Sequence, residues 1–504
     1  MTKNRLSKFI VLSSFLITCC LSIRADLTQE MLDPLSTQKT NQTPLDSITI
    51  ARLHLAKELD TGAPTMVVPS DDNWWQEFHD PVLNELIEKA SQTNLNLSSA
   101  IRSLEASKYS IMAIKSGYYP TLSASAMYQS GQASGATMKG KPSSPVMENY
   151  MGIGLDLSWE IDVFGRIKKQ TEEGEASYNA SRAEYVATLT SLCAQVASVY
   201  FDLAAAKELY STAMTHLESE DKILQMTKVR YENGISSKLD VTQANTVVLD
   251  TKSNLPSLRA RIESDIDMLA LLTNSDREKI AKLVENAKLP ICSSAMAKTI
   301  PGDLIRRRPD VAEAEYNLAS ACAKAGLAQK DWLPTLSLSA SVSTESHAAK
   351  NLFSGKSFTY SVAPTLAWTI FDGFQRKYNI AEAKADVLAA ADNYDYAVAT
   401  ARQEVSTAST EYYCYLDEID ILSQAANQCQ ESLTLSVELY KSGLNPFTDV
   451  MNAQISWLTY ENSVINARYN ALSTLTTLYK ALGGGWTGEL PEFSSINKNK
   501  AIKK

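Results

Sequence analysis

Side chains that carry chemistry are few in this chain and widely scattered. Its four histidines, His54, His79, His216 and His347, include no pair at metal-ligand spacing. Seven cysteines make an odd count with no CxxC pair. Cys19 and Cys20 fall in the leader, and Cys193, Cys292, Cys322, Cys414 and Cys429 read as small buried apolar residues rather than a disulfide framework. Arg306, Arg307 and Arg308 stand before Pro309-Asp310 and suggest phosphate binding, yet no glycine-rich loop accompanies them. There is no Ser-His-Asp set and no P-loop, so the expectation is a protein that is not an enzyme and needs neither cofactor nor metal. What remains is a set of carboxylates in regular patterns. Asp156, Glu160 and Asp162 share one face of an alternating stretch, and Asp240 and Asp449 each follow a helix break.

The first group lies in Tyr150 to Val163, YMGIGLDLSWEIDV. Met151, Ile153, Leu155, Leu157, Trp159, Ile161 and Val163 alternate with Gly152, Gly154, Asp156, Ser158, Glu160 and Asp162, which puts the two sets on opposite faces of an extended strand. Soluble strands run about 5–6 residues, whereas a strand of about 9–11 residues, apolar outside and polar inside, suits a transmembrane β-barrel. A second stretch, Ser357 to Ile370, alternates in the same way, and each has a shorter companion upstream, YYPTLSASAMYQS and WLPTLSLSASVST. The chain thus offers four strands in two hairpins, at about 120–129, 150–163, 334–343 and 357–371. Four strands cannot close a barrel and open edges cannot sit in lipid, so a membrane barrel would need several copies. In that setting Asp156, Glu160 and Asp162 face the lumen and either bias it towards cations or simply keep the wall wet. Trp159 and Trp368 suit either an interfacial aromatic belt or packing against a neighbouring strand.

At 504 residues and 44% hydrophobic content the chain is not generally disordered, and a net charge of −9 argues against nucleic acid. Lys3, Arg5 and Lys8 before the apolar run Phe9 to Ile17 form an export signal, too short to span a membrane. Two processing readings stand side by side: cleavage after Ala25, or a lipoprotein box, Leu16-Ile17-Thr18-Cys19, with Cys19 as the acylated residue. Residues 1–25 are therefore a leader and 26–72 an extended N-terminal arm, polar and without period.

Helical spacing begins at Val82 and runs to Lys115. After Gly165-Arg166 the longest tract carries Tyr185, Leu189, Leu192, Val196, Val199, Leu203, Ala206 and Tyr210 at 4-3 spacing, the seam of a coiled coil. Continuous from Arg166 to Asn233 it would measure about 100 Å, with Gly174 loosening its first turns. Asn233-Gly234 breaks it, a return helix runs from Asp240 to Leu272, and 273–300 is a polar connection. The second half repeats the programme: a helix from Ile305 to Lys330, two strands, a seam from Val398 to Leu433, a break at Ser442-Gly443 and a final helix to Leu482. RYENGISSKLDVTQAN (230–245) aligns with LYKSGLNPFTDVMNAQ (439–454) at an offset of 209, shared by Trp159 and Trp368, while Pro120 and Pro334 differ from it by five. Residues 73–290 and 291–486 are thus two structural repeats, and 487–504 a polar tail.

Short amphipathic strand pairs joined to long coiled-coil hairpins, duplicated and exported, resemble the TolC/OprM-type outer-membrane factors of bacterial efflux pumps. The likeness covers about residues 73–486 and includes WWQEFHDPVLNELI, the EIDVFGRIK turn, LIRRRPDVAEAE (304–315), the FDGF turn and the closing YKALGGGW (479–486). It implies a mainly α fold with a transmembrane β-barrel portion, completed by a homotrimer of twelve strands over a periplasmic α-barrel. It further implies an outer-membrane channel that works passively with a periplasmic adaptor and an inner-membrane pump. It makes the arginine run a structural helix start. It also implies a gate at the hairpin tips, ringed by acidic residues. Asp240 and Asp449 match the family's first acidic position, Gln243 and Asn452 fall three residues on, and Ile455 stands where a tip arginine is common. That departure weakens the expectation of a strong carboxylate ring with a salt-bridge latch. Three copies of one Asp near an axis would still focus cations, and the same two residues equally suit helix capping. The rival expectation is a periplasmic coiled-coil scaffold or adaptor with a soluble β-domain.

Overall fold

The computed structural model describes residues 73–133, 146–291 and 308–484. The leader with Cys19, the arm at 26–72, Cys292, Arg306, Arg307 and the 487–504 tail lie outside the described residues.

Apolar residues at helical spacing, stopped by Asn, Gly or Pro, produce eight α-helices among the described residues. These are α1 (Pro81–Thr93), α2 (Leu95–Lys115), α3 (Arg166–Glu232), α4 (Lys238–Leu272), α5 (Arg277–Leu283), α6 (Pro309–Lys330), α7 (Gln375–Lys441) and α8 (Phe447–Ala481). Four strands interrupt them: β1 (Thr121–Ala133), β2 (Val146–Ile161), β3 (Thr335–Ser346) and β4 (Phe358–Ala367). The duplication is visible in the boundaries. α7 and α8 begin and end 209 residues after α3 and α4, while α6 and β3 begin 214 residues after α2 and β1.

Only one arm of each hairpin is long. α3 and α7 have 67 residues each, about 100 Å of helix, whereas α4 and α8 have 35, about half that. The long tract and the shorter return helix keep close to the spans read from the sequence, Arg166 to Asn233 and Asp240 to Leu272. α2 and α6 pack along the strand-proximal half of the long helices, and α4 and α8 along the half nearer the tips. α3 consequently has neighbours on several sides, and its buried set is wider than the 4-3 seam: Ala183, Val186, Tyr200 and Phe201 are buried beside Leu192, Val196 and Leu203. The α7 seam follows its spacing more closely, with Val398, Ala401, Val405, Ala408 and Tyr412 all buried.

Several local expectations change. The helix over Val82–Lys115 is two helices, because Asn94 leaves helical backbone at ψ 132°. Its Oδ1 accepts from Leu97 N–H at 3.0 Å and its Nδ2 donates to the Leu272 carbonyl at 2.8 Å, so one side chain starts α2 and fastens it to the end of α4. The 273–300 connection contains α5. α6 starts at Pro309, with Arg308 as its extended N-cap. Gly174 does not loosen α3: a Cβ there would come within 2.9 Å of Ile114 Cδ1, so the glycine lets α2 approach an unbroken helix. Cys193 is buried as expected, but Cys322 and Cys429 are only half-buried and Cys414 is exposed.

The two hairpins are not separate. β2 pairs with β3, giving one antiparallel four-stranded sheet in the order β1-β2-β3-β4. β2 ends at Ile161 and β4 at Ala367, so Asp162, Val163, Trp368 and Ile370 lie beyond the strands, and β4 is shorter than β3 rather than longer. Pairing carries the alternation across the sheet: Ala124, Leu155, Val342 and Tyr360 form one row, and Ser123, Asp156, Ser341 and Ser361 the neighbouring row on the other face. The apolar face is bare, with Leu155, Val342 and Tyr360 at 49%, 46% and 75% exposure.

Two large apolar cores line the helices, and a small third one pairs Ile101 with Leu104 on α2. The first large core joins Trp74, Leu86, Tyr200, Phe201, Leu269, Tyr412 and Leu475, and the second, towards the tips, joins Leu224, Val241, Leu433, Phe447 and Val450. Between these two on α3, α4 and α8 lies a buried polar layer: His216 on Glu461, Glu220 accepting from Thr251 at 2.9 Å, and Gln454.

Candidate functional site

Each tip is a tight reversal built on a left-handed glycine. Gly234 at φ 71° lets Ile235 N–H donate back to the Arg230 carbonyl at 2.8 Å, and Gly443 at φ 74° does the same for Leu444 and Leu439 at 2.9 Å. The returning helices then start differently. Ser237 is the N-cap of α4: its Oγ accepts from Asp240 N–H at 3.2 Å and donates to Asp240 Oδ1 at 2.7 Å, a reciprocal capping pair. α8 has Pro446 in that place, which offers no side-chain oxygen, so Asp449 is simply an exposed acid in the first turn. Neither Asp is itself the cap residue.

The tips of the two hairpins are tied to each other. Tyr440 OH donates to Asp240 Oδ2 at 3.3 Å, and Arg230 Nη1 donates to the Lys441 carbonyl at 2.7 Å. The Arg230 guanidinium lies 4.8 Å from the Tyr440 ring centre, and that ring meets Phe447 edge-on at 5.4 Å. Asp240 is half-buried in this tie, whereas Asp449 and Asn452 are exposed and Gln243 is half-buried on α4. The structure therefore separates residues that the repeat makes equivalent. Arg230 and Tyr440 are the tip residues that spacing did not single out. The one visible hint is that position 230 is Arg where its repeat image, Leu439, is apolar.

The sheet's carboxylates also divide. Asp156 stands in the serine-rich polar row and accepts from Ser125 Oγ at 3.2 Å. Glu160 is neutralised by Arg166 through two bonds, at 2.8 and 2.7 Å. Asp162 is not a strand residue: its carboxylate accepts from Ile167 N–H at 3.1 Å and Lys168 N–H at 2.9 Å, starting α3. Glu345, paired with Gly152, adds an exposed carboxylate to the polar face that the shorter expected strand had left out. Both tryptophans hold the strand ends, Trp159 Nε1 donating to the Tyr118 carbonyl and Trp368 Nε1 to the Trp332 carbonyl, each at 3.1 Å.

Arg308 is structural. It is buried, with bonds to Asp310 at 3.0 and 2.7 Å, to Glu404 at 2.7 Å and to the Ala481 carbonyl at 3.0 Å. No group of three or more His, Cys, Asp or Glu suited to a metal occurs among the described residues.

Long helical hairpins under a sheet with a bare apolar face define an outer-membrane channel subunit. The chain belongs to the outer membrane efflux protein family, whose pattern it matches over residues 86–275 and 300–484. It is 27% identical over 438 residues to the probable efflux pump outer membrane protein TtgC of Pseudomonas putida, covering 86% of this chain and 90% of that one. It is 29% identical to the outer membrane protein OprJ of Pseudomonas aeruginosa, covering 82% and 86%. Among solved structures, the outer-membrane channel OprN superposes with a TM-score of 0.80 at 27% identity, over 85% of this chain and 97% of that one. The outer membrane is thus where this chain works, as a channel component of efflux.

Proposed function

We propose that three copies of the chain share one twelve-stranded barrel and form a passive duct, with energy supplied by an inner-membrane pump reached through a periplasmic adaptor. The observation that carries this is the four-stranded sheet: its outward face is apolar, both edges are unpaired, and an unpaired edge in lipid is costly. Closing three sheets into a ring removes every edge and turns the row of Ser123, Asp156, Ser341 and Ser361 towards water. Asp156 and Glu345 are the lumen carboxylates in this reading. The two repeats, 73–290 and 291–486, give six similar units around the axis. A wide wet duct needs neither a catalytic group nor a cofactor.

The tips form the gate. Asp240 is held by Tyr440, so the first hairpin's acid locks the two hairpins together, while Asp449 and its exposed neighbour Asn452 are left to face the axis, with Gln243 beside the lock. Cys19 is the lipid-attachment candidate, alongside cleavage after Ala25. The rival scaffold or adaptor gives no reason for the exposed rows of Leu155, Val342 and Tyr360.

Light scattering on detergent-extracted protein tests the duct. A protein mass near three chains of 55.3 kDa, less any leader removed, is expected in the membrane fraction. A soluble monomer or dimer would refute it.

A further inference from the structure

From the duplicated registers within one chain, we infer the register in which β4 of one copy joins β1 of the next: Ala367 lies opposite Ser125 of the next copy. This rests on the shared-barrel reading and goes beyond it to a residue-level interface.

The two hairpins have one register. β1 meets β2 with Thr121 opposite Ser158, and β3 meets β4 with Thr335 opposite Ala367. Thr335 is 214 residues after Thr121 and Ala367 is 209 after Ser158, the same offsets that relate α6 to α2 and α7 to α3. The tryptophan bonds repeat likewise: Trp332 and Trp368 are the 214 and 209 images of Tyr118 and Trp159. The sheet is therefore two copies of one unit, joined by the β2–β3 ladder.

A ring needs one further join, from β4 to the next β1, and it links the same two unit edges. Advancing each β2 residue by 209 and setting each β3 residue back by 214 converts the observed ladder into the missing one. Trp159 opposite Leu338 becomes Trp368 opposite Ala124, Ser158 opposite Ser339 becomes Ala367 opposite Ser125, and Leu157 opposite Ala340 becomes Leu366 opposite Ala126. The faces agree. Trp368 and Leu366, 52% and 65% exposed in the single chain, meet two alanines on the apolar face, and Ala367 meets a serine on the polar face. A slip of one residue would set Leu366 against Ser125 and turn one whole strand over. The join also lengthens β4: its image β2 reaches Ile161, so β4 extends from Ala367 to Ile370 opposite Leu122 of the next copy.

Slips of two residues keep the faces, so the test must separate them. Full-length chains carrying Ala367→Cys with Ser125→Cys, Ser123→Cys or Met127→Cys are oxidised in membranes and run without reductant, beside each single variant. Ser158→Cys with Ser339→Cys, the image pair inside one chain, calibrates closure. Directly opposed Cβ atoms lie about 4.5–5.5 Å apart and diagonal ones about 7–8 Å, against the roughly 3.8 Å a disulfide needs. The expected result is at least about fivefold more inter-chain product from the 367/125 pair than from the other two. Preferential cross-linking at 123 or 127 would overturn the register and leave the shared barrel standing. Trimeric mass with closure of 158/339 but no inter-chain product from any pair would also overturn it. A soluble monomer would instead remove the shared barrel itself.

Discussion

Arg308 is the residue whose loss the fold should feel most. Its side chain is 7% exposed and serves two carboxylates and one carbonyl from three elements. Burial raises the Asp310 pKa, but Arg308 more than offsets that and holds the carboxyl below its ordinary range. Arg308→Met removes the cation from Asp310 and Glu404, whose side chains are 47% and 43% exposed and so partly solvated, and should cost about 1.5–3 kcal/mol. A thermal midpoint unchanged within error would contradict this assignment. Asp265 behaves in the opposite sense. Burial, and then Asp202 beside it, push its carboxyl up to about 7, with Arg261 engaged chiefly by Asp202. A folded pKa above the unfolded value means the contribution is whole below about 4 and is lost as pH rises towards 7. Asp265→Asn should therefore flatten the stability profile between pH 5 and pH 8. Melting at those two values checks it: wild type should lose about 1–3 °C more than the variant over the interval.

Among the elements, the tips are where a small change should have a visible effect. The Tyr440–Asp240 bond and the Arg230–Lys441 bond are the two polar ties between hairpins at the tip. Tyr440→Phe removes one while keeping the ring against Arg230 and Phe447, so folding should survive at a cost of about 1 kcal/mol. In planar bilayers the variant should spend more time conducting than wild type; equal open times would show that the tie does not hold the gate. The long helices were legible in the sequence because α3 and α7 carry long 4-3 runs, and the turn glycines Gly234 and Gly443 stop them cleanly. The sheet was legible from alternation, though alternation continues through Val163 while the chain has already turned into α3. Asn94 was hidden because Leu97 keeps the helical spacing across the break. The tip tie was hidden for a different reason: Tyr440 and Asp240 are 200 residues apart, and no local period connects them. Sequence spacing placed the acids at the tips but carried no information on which would be paired.

At the scale of the molecule, helices and sheet are specified with different completeness. Buried cores run the length of the helices within one chain, through Tyr200, Tyr412 and Leu472 near the middle and Val241 and Val450 near the tips. The sheet has no such self-sufficiency, since β1 and β4 each have a partner on one side only. That asymmetry has a genetic consequence. In the proposed shared barrel, a chain with a defective strand edge does not fail alone, because it occupies one of three places and spoils its neighbours' closure. When faulty and normal chains are made in equal amounts and mix freely, only about one ring in eight is wholly normal. Lesions along β1 or β4 should therefore be dominant in cells carrying both alleles, whereas a chain too unstable to assemble, such as one lacking the Arg308 hub, should be recessive.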